Sequence, residues 1–367
     1  CLPLLLGLIG LLWQLFKNDE KNNGEGEKQF GIVFFLFFMT GLAIVLYLNQ
    51  TPAQPRERDY AYAGSFYAFS IWVGLGVAAI AYYLQKVLKN EKLSAVLSCL
   101  CILVPIQMAG QTWDDHDRSG RYACRDFGRN YLESLDKDNY PIIYTNGDND
   151  TFPLWYAQDS EGLRTDARVC NLSYLQTDWY TDQMRRTAWE SPGLPIAWNR
   201  YEYVDNMGHD FFYVMPEHKE TLNQIKLQNP EVNPYELSYL IDNYVRTKGY
   251  LPTDSFVVKV NKENCLAQGM KVPTGYTDFP EYMSVKLKAE SLTKSAMMVY
   301  EMLGRNDWKR PIYMSVTLGQ SNYAGLENYC ILEGLAYRLT PFNFSRMGTI
   351  DGDVMYDNMV NRFAYGN

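Results

Sequence analysis

Two short acidic segments of the chain carry residue types that could support chemistry. In the first, 147–151 (GDNDT), Asp148 and Asp150 stand two residues apart between an apolar stretch and a helical pattern. Carboxylate oxygens are good ligands for a divalent cation such as Mg²⁺, Ca²⁺ or Mn²⁺. The same residues also fit a turn at Gly147 and a helix cap at Asp150 or Thr151. Both interpretations, a ligand site and a helix cap, stay open at this point.

The second segment, 114–121 (DDHDRSGR), directly follows a long apolar run. Its carboxylates and its imidazole predict a site that binds a metal ion or contacts an acceptor group, with one of them as a base. The candidate residues for this role are Asp114, Asp115 and His116. The alternative is a solvated run of charges that ends a membrane helix.

Four arginines near the predicted membrane surface suggest a phosphate site. They are Arg56, Arg58, Arg118 and Arg121. The first two belong to the segment 55–59 (PRERD), which is predicted on the same side of the membrane as 114–121. Because a guanidinium group matches phosphate oxygens in charge and geometry, we expect these side chains to bind a lipid-linked phosphate.

The charge balance argues against a nucleic-acid partner and separates two unlike regions. The chain of 367 residues has 34 basic and 42 acidic side chains, so it lacks the Lys/Arg excess that phosphate backbones require. Residues 1–110 contain 7 acidic and 8 basic side chains, whereas residues 111–367 contain 35 and 26. We therefore expect an apolar region embedded in the lipid bilayer, followed by an acidic globular domain.

Apolar runs in the first region predict four transmembrane helices. They cover about 1–16, 30–48, 60–84 and 93–110. Since a helix needs about 20 apolar residues to span the bilayer core, the first run is interpreted as a truncated helix. Several such runs in a short region favour a membrane bundle over the buried helices of a soluble protein.

Charges in the short loops predict the orientation of the chain in the membrane. Two loops that face one side contain Lys17, Lys21, Lys28, Lys86, Lys89 and Lys92. The loop 49–59 on the other side contains two arginines and no lysine. Because basic residues concentrate in cytoplasmic loops, the acidic domain is predicted outside, in the periplasm of a bacterial inner-membrane protein.

Alternating strand and helix patterns in 111–367 predict an α/β domain with a mainly parallel sheet. The predicted strands are 141–145, 167–173, 255–260, 282–288 and 311–316. The predicted helices are 122–135, 151–161, 177–189 and 290–304, and the stretch 190–250 is interpreted as an insertion with helices at 219–228 and 234–247. The loop 146–150 would then follow the carboxyl end of a strand, where α/β proteins bind ligands.

Four segments of the chain resemble a family of large bacterial multi-pass membrane proteins of formerly unknown function. They are 49–69 (NQTPAQPRERDYAYAGSFYAF), 113–122 (WDDHDRSGRY), 146–156 (NGDNDTFPLWY) and 306–313 (NDWKRPIY). That family is similar to the animal protein O-mannosyltransferases of the glycosyltransferase C superfold. The resemblance implies an integral membrane enzyme that transfers a sugar from a polyprenyl-phosphate donor to Ser or Thr of exported polypeptides.

The resemblance also implies which parts of such an enzyme this chain would supply. In that superfold the catalytic acidic residue lies in the first external loop, so the catalyst is expected outside this chain, and this part alone is expected to be inactive. The arginines would stabilise the leaving phosphate, and the external domain would bind the acceptor polypeptide. Whether a divalent cation takes part is left open.

Two other functions are compatible with the same residues. A non-catalytic, membrane-anchored periplasmic interaction domain would use the abundant tyrosines as its contact surface. A metal-dependent periplasmic phosphatase would use Asp148 and Asp150. The phosphatase is the less favoured of the two, because Thr151 comes one residue earlier than in the Asp-x-Asp-x-Thr pattern of haloacid-dehalogenase-type phosphatases.

Overall fold

The computed structural model describes residues 2–16, 25–51, 58–204 and 210–366. The chain divides into two units, Cys1–Gly120 and Arg121–Asn367. Within the described residues the first unit is helical, and the strands all belong to the second unit.

The first unit consists of apolar helices. Its α-helices are α1 (Leu2–Phe16), α2 (Glu25–Thr40), α3 (Leu42–Leu48), α4 (Ala63–Leu88), α5 (Glu91–Cys99) and α6 (Leu103–His116). Three helical stretches among the described residues are long and apolar enough to cross a membrane, Glu25–Leu48, Asp59–Leu88 and Glu91–His116. With 15 residues, α1 reaches about 22 Å and falls short of the roughly 30 Å hydrocarbon core, so three of the four predicted spans are found.

Small residues allow α1 to pack closely against α4. A side chain on Gly10 or Gly76 would overlap the backbone of the facing helix. Beside this contact, the buried Trp72 donates its indole N–H to Oε1 of Gln14 at 2.8 Å. Close packing of glycines together with an inter-helix hydrogen bond is typical of helices within membranes.

The described part of the second unit contains eleven strands in three sheets. The strands are β1 (Ile142–Thr145), β2 (Arg168–Asn171), β3 (Phe211–Val214), β4 (Tyr250–Leu251), β5 (Ser255–Lys259), β6 (Tyr282–Lys286), β7 (Ser291–Thr293), β8 (Ile312–Ser315), β9 (Cys330–Leu332), β10 (Ala336–Leu339) and β11 (Thr349–Ile350). The main sheet has the strand order β11-β9-β10-β8-β1-β2. In its parallel part, Ile142 of β1 pairs with Arg168 of β2 on one side and with Ile312 of β8 on the other.

The main sheet is mixed, which corrects the prediction of a mainly parallel sheet. β10 runs antiparallel to β8 and to β9, while β11 is parallel to β9. Only residues 333–335 join β9 to β10, and a connection of this length cannot make the crossover that a parallel pair requires. The parallel prediction is therefore correct for three of the five strand pairs, β1–β2, β1–β8 and β9–β11, and wrong for the two pairs that β10 makes.

Two of the predicted strands lie outside the main sheet. β5 and β6 form a two-stranded antiparallel sheet, with Phe256 opposite Val285. Their residues alternate between buried and exposed, which is typical of antiparallel strands covered on one face. In the third sheet, β4-β3-β7, β3 lies within the predicted insertion 190–250, β4 lies at its end, and β7 lies in the predicted helix 290–304.

The helices of the second unit largely follow the predicted pattern. They are α7 (Ala123–Glu133), α8 (Asp148–Glu161), α9 (Asp178–Met184), α10 (Arg200–Tyr203), α11 (Lys219–Gln228), α12 (Leu237–Leu240), α13 (Arg246–Lys248), α14 (Lys262–Ala267), α15 (Lys294–Asn306) and α16 (Gly352–Asp357). The predicted helix 234–247 contains a π-helical turn, Ile241–Val245, between α12 and α13.

Hydrophobic cores cover both faces of the main sheet. Ile142 and Tyr144 of β1 belong to the larger core, whereas Ile143 between them belongs to a smaller core with Tyr131 of α7 and Leu154 of α8. Since successive side chains of a strand point to opposite faces, the parallel strands are buried on both sides. Accessible chemistry on these strands is therefore confined to their ends.

Candidate functional site

The carboxyl ends of β2, β1 and β8 meet at one edge of the main sheet, because these three strands are parallel. Each strand is followed by a polar segment: 146–151 after β1, 171–174 at the end of β2, and 315–317 at the end of β8. Ligands of α/β proteins bind at such an edge. We call this set of residues the carboxyl edge, and it contains the predicted loop 147–151.

Buried hydrogen bonds fix the loop after β1. Gly147 adopts φ +84°, a backbone conformation that favours glycine, and its carbonyl accepts the hydroxyl of Thr151 at 2.8 Å. The Thr151 oxygen lies 2.8 Å from the Thr145 hydroxyl and accepts Nδ2 of Asn171 at 2.9 Å. Asn171 also donates to the Gly147 carbonyl at 3.3 Å. Since these side chains are buried, the bonds lock the loop of β1 onto the end of β2.

The other side of Asn171 organises the segment after β2. Its Oδ1 accepts the backbone N–H groups of Ser173 at 2.8 Å and of Tyr174 at 3.2 Å. The Ser173 hydroxyl then donates to Oδ1 of Asn146 at 2.7 Å, and the Tyr174 hydroxyl donates to Oδ1 of Asp148 at 3.0 Å. The bond to Asp148 raises the pKa of Tyr174 above its usual value. The two loops thus present amide, hydroxyl and carboxylate groups next to one another.

The two aspartates of the loop do not face one point. The helix α8 begins at Asp148, three residues before the predicted start at Thr151, so Asp148 and Asp150 occupy its first turn. Residues two apart on a helix point to different sides, whereas a shared cation would need both carboxylates on one side. Among the described residues no group of three or more His, Cys, Asp and Glu side chains could hold a metal ion. The positions of these carboxylates are typical of charges that stabilise a helix N-terminus.

A cluster of hydroxyl groups lies at the end of β8. The Ser315 hydroxyl donates to the Tyr131 hydroxyl at 3.1 Å and lies 2.5 Å from that of Thr317. Burial raises the pKa of Tyr131, and the charge of Asp150 raises it further. The Tyr131 phenol therefore stays neutral and keeps its proton as a donor. These residues were not predicted from the sequence, because a serine and a threonine after a strand carry no motif.

Aromatic rings border the carboxyl edge. Phe152 and Trp155 of α8 stack with centroids 5.6 Å apart, and Trp155 lies 6.2 Å from Tyr174. Tyr174 in turn contacts Trp179 at 6.0 Å, and both Phe152 and Trp179 are about half exposed. Flat aromatic surfaces beside hydrogen-bonding groups suit sugar rings and peptides.

The predicted acidic cluster of the first unit lies at the end of α6. Asp114, Asp115 and His116 are all exposed. The His116 ring nitrogen Nδ1 lies 2.9 Å from the Thr112 carbonyl within the same helix. Asp117 ends the helix, and the Ser119 side chain and backbone N–H lower the pKa of its carboxyl. The geometry is that of an accessible helix end, which is compatible with both interpretations of this segment.

The four predicted phosphate-binding arginines are only partly placed by the structure. Arg56 lies outside the described residues. Arg58 precedes the short helical turn Asp59–Tyr62 and is exposed, as is Arg118 after α6. Arg121 is exposed and is the first residue of the second unit. A joint phosphate site of these arginines therefore stays a prediction.

The comparison with known proteins concerns mainly the second unit. A family model described as TMEM260-associated domain 2 matches residues 124–355. This match includes β1, β2 and β8, and with them every residue of the carboxyl edge. No solved structure matches the chain.

Proposed function

The chain belongs to the TMEM260-associated domain 2 family, and from the resemblance of its motifs to a bacterial family similar to the protein O-mannosyltransferases we propose that it is part of an integral membrane glycosyltransferase. The enzyme would move a sugar from a polyprenyl phosphate to a Ser or Thr hydroxyl of an exported polypeptide. In this reaction the acceptor oxygen bonds to the anomeric carbon, the bond from that carbon to the phosphate oxygen breaks, and a carboxylate takes the hydroxyl proton. The sequence resemblance supports the reaction, and the three apolar helices support its location in a bilayer that contains the lipid donor.

One observation supports a role of the second unit in acceptor binding. Hydrogen-bonding groups and exposed aromatic rings lie side by side at the carboxyl edge. Asn146 and Asp148 can bond to a peptide backbone or a hydroxyl, and Phe152 can pack against an apolar side chain. Because this edge is fixed by buried bonds of Asn171, an acceptor would meet a preorganised surface. We assign this edge to the acceptor polypeptide.

The lipid phosphate is assigned to the arginines of the predicted membrane boundary. Arg56, Arg58, Arg118 and Arg121 would stabilise the negative charge that remains on the leaving phosphate. Asp114, Asp115 and His116 are lesser candidates for contact with the acceptor or with a cation. The domain that carries the acceptor surface would lie in the periplasm of a bacterial cell, as the lysine-rich loops indicate.

Glycopeptide mass analysis of exported proteins tests the transferase. We would compare cells with the full-length gene, cells without it, and cells with Arg56→Ala and Arg58→Ala together. Sugar-type mass increments on Ser or Thr should vanish in the deletion and fall strongly in the double variant. The matched control is Lys89→Ala with Lys92→Ala, which removes two charges from the opposite predicted side and should retain the increments. If the mass increments persist in the deletion strain, the transferase is refuted. If they vanish in the deletion strain but persist in the arginine variant, the phosphate site is refuted.

The acceptor surface is tested separately in the same cells. Phe152→Ala with Asn146→Ala should reduce the increments on acceptor proteins, because it removes a ring and an amide from the carboxyl edge. The control Tyr356→Ala removes an aromatic ring that is also exposed but lies on α16. Equal loss in both variants would argue against a specific acceptor surface.

A second function, a membrane-anchored interaction domain, is favoured by the outer face of β3. Phe211 and Tyr213 are 58% and 61% exposed, although both are strand residues with large aromatic side chains. Exposed aromatic residues of this kind are enriched where proteins bind one another. If Phe211→Ser with Tyr213→Ser abolishes co-purification of a partner while the deletion leaves all masses unchanged, this function replaces the transferase.

A further inference from the structure

Four aromatic side chains form a continuous row beside the carboxyl edge. Phe152 and Trp155 of α8 are followed by Tyr174 after β2 and by Trp179 of α9. Successive ring centroids in this row are 5.6, 6.2 and 6.0 Å apart. Phe152 is 47% exposed and Trp179 is 54% exposed, so both ends of the row are accessible to a ligand. We call these four residues the aromatic row.

The fold holds the aromatic row in place. Phe152 and Trp155 are three residues apart on α8 and therefore lie on one face of that helix. The backbone N–H of Tyr174 donates to Oδ1 of the buried Asn171, and the Tyr174 hydroxyl donates to Oδ1 of Asp148. A ligand would therefore meet rings that are already ordered, which reduces the entropy lost on binding.

The segments that carry the aromatic row are acidic and have no basic residue. Residues 148–161 and 171–184 contain no Lys, Arg or His. Their carboxylates are those of Asp148, Asp150, Asp159, Glu161, Asp178 and Asp182. The last three pair with arginines of other segments, whereas the first three form no ion pair among the described residues. The charge around the row is therefore complementary to a cationic partner.

Asp148 joins this charge to the aromatic row. Its Oδ1 accepts the Tyr174 hydroxyl at 3.0 Å, while Oδ2 of the exposed side chain makes no hydrogen bond to a described residue. Cations are attracted to the faces of Tyr and Trp rings within about 6 Å of the ring centroid. A cation bonded to Oδ2 of Asp148 would have Tyr174 beside it and Trp179 next to that ring. These three side chains suit the head group and the stem of an Arg or Lys.

The stacking of the rings favours a polypeptide over a neutral sugar chain. Trp155 lies between Phe152 and Tyr174, with interplanar angles of 26° and 24°. Both faces of its indole are therefore partly covered by neighbouring rings, whereas a sugar ring packs on an open aromatic face. A neutral sugar would also leave the unpaired carboxylates without a counter-ion.

We propose that the aromatic row binds a basic, extended segment of polypeptide. The head group of an Arg or Lys bonds to Asp148, and its stem packs on Tyr174 and Trp179. An apolar side chain of the same segment packs on Trp155 and Phe152. Alternate residues of an extended chain point to the same side and lie roughly 6.6 Å apart, close to the 6.2 Å between the rings of Trp155 and Tyr174. The segment therefore carries a basic and an apolar residue two positions apart.

The choice of partner rests on the proposed function, because the carboxyl edge was assigned there to the acceptor polypeptide. Binding of the segment is nevertheless separable from glycosyl transfer, since it is measured without a sugar donor. Mass increments that persist in the deletion strain would refute the transferase and leave the peptide affinities unchanged.

Fluorescence anisotropy of labelled peptides with the full chain in uncharged detergent micelles tests the ligand class. The peptide GSRSLSG has its Arg and Leu two positions apart, GSESLSG reverses the charge, and GSRLSSG places Arg and Leu next to each other. GSRSLSG should bind saturably, GSESLSG at least about tenfold more weakly, and GSRLSSG about threefold more weakly. Equal affinities for GSRSLSG and GSESLSG, or displacement of GSRSLSG by an equal concentration of cellohexaose, would overturn the proposal.

Two matched pairs of variants test whether the peptide lies on the aromatic row. Asp148→Asn keeps an acceptor for Tyr174 without the charge and should weaken GSRSLSG binding by about tenfold. Its control is Asp353→Asn, an exposed aspartate that is also in the first turn of a helix. Trp179→Ala should weaken binding by about tenfold, whereas Trp189→Ala, which removes an indole that is also 54% exposed, should retain it. Unchanged affinity in Asp148→Asn or in Trp179→Ala would also overturn the proposal.

Discussion

The carboxyl edge and the opposite end of the same parallel strands satisfy buried polar groups in different ways. At the carboxyl edge, Asn171 and Thr151 make hydrogen bonds to side chains and backbone within the fold. At the other end, Arg168 has two buried nitrogens without partners and no counter-ion among the described residues. A group satisfied within the fold contributes to stability, whereas a buried group without partners lowers it.

The segment 147–151 is recognisable in the sequence, whereas the environment of Arg168 is visible only in the structure. The segment 147–151 attracts attention because it contains paired aspartates, yet its side chains mainly hold the loop and the helix in place. Arg168 stands alone in an apolar strand and belongs to no motif. The comparison therefore predicts that removing a buried group at the carboxyl edge, such as the Asn171 amide, costs more stability than removing the guanidinium of Arg168.

The largest expected effect is that of Asn171→Leu. Asn171 is fully buried and its amide makes four hydrogen bonds, so the variant should lower the free energy of unfolding by about 3 kcal/mol. Urea unfolding of the full chain in detergent, followed by tryptophan fluorescence, measures it. The control Asn146→Leu removes the acceptor of one exposed bond and should cost about 1 kcal/mol or less. Equal losses in both variants would contradict the view that Asn171 joins the two loops.

Gly147→Ala should have the next largest effect. A Cβ at this position meets nothing within 4 Å, so the whole cost comes from φ +84° and is about 2 kcal/mol. The control is Gly352→Ala, which also has open space around it but no positive φ, and which should be close to neutral. The same unfolding measurement applies, and a neutral Gly147→Ala would mean that the loop relaxes without loss.

The third prediction concerns Cys170, which lies on β2 between the two ends. Burial raises the pKa of its thiol from 9.0 to about 12. Above pH 9 the unfolded chain releases this proton while the folded chain keeps it, so stability falls as the pH rises from about 9 to 12. Between pH 8 and pH 10 the buried thiol should lower the free energy of unfolding by about 1 kcal/mol, and Cys170→Ala should not show this decrease.

Unfolding in urea at several pH values measures this slope. The matched control is Cys124→Ala, which removes an exposed thiol from α7. If this control flattened the slope as much as Cys170→Ala, the loss could not be assigned to the buried thiol of β2. A parent protein whose stability did not fall above pH 9 would also contradict the prediction.

The strands of the parallel part were predictable because they are short, continuous apolar runs. The segments 141–145 and 311–316 have this pattern, and both lie in the core of the sheet. The strands β9 to β11 were missed, since β9 and β11 have only three and two residues and the apolar pattern of β10 is interrupted by Arg338. The start of α8 was also misplaced, because the acidic residues that suggested a loop instead stabilise its first turn.

The candidate sites were less predictable than the fold. The loop after β1 was found, because its position follows from a strand and a helix that are adjacent in sequence. Its partners Asn171 and Ser315 come from other strands, and only the order of strands in the sheet brings them close. The hydrogen bonds of Arg168 to the end of α9 likewise depend on tertiary structure, because β2 and α9 meet only in the folded domain.

The smallest expected effect on stability is that of Arg168→Met. The variant loses the Nη2 bonds to the end of α9, but it also removes a buried charge that no anion compensates. These contributions have opposite signs, and we expect a change of less than about 1 kcal/mol in the free energy of unfolding.

A second buried arginine supplies the control. Arg338 is 7% exposed and forms an ion pair with the buried Glu333 at 3.5 Å. Arg338→Met leaves that carboxylate buried without its partner, so the expected loss is about 3 kcal/mol. Urea unfolding of both variants decides the matter, because they remove the same side chain from equally buried positions. If Arg168→Met cost as much as Arg338→Met, the guanidinium of Arg168 would be a structural group, and the contrast between the two ends of the strands would disappear.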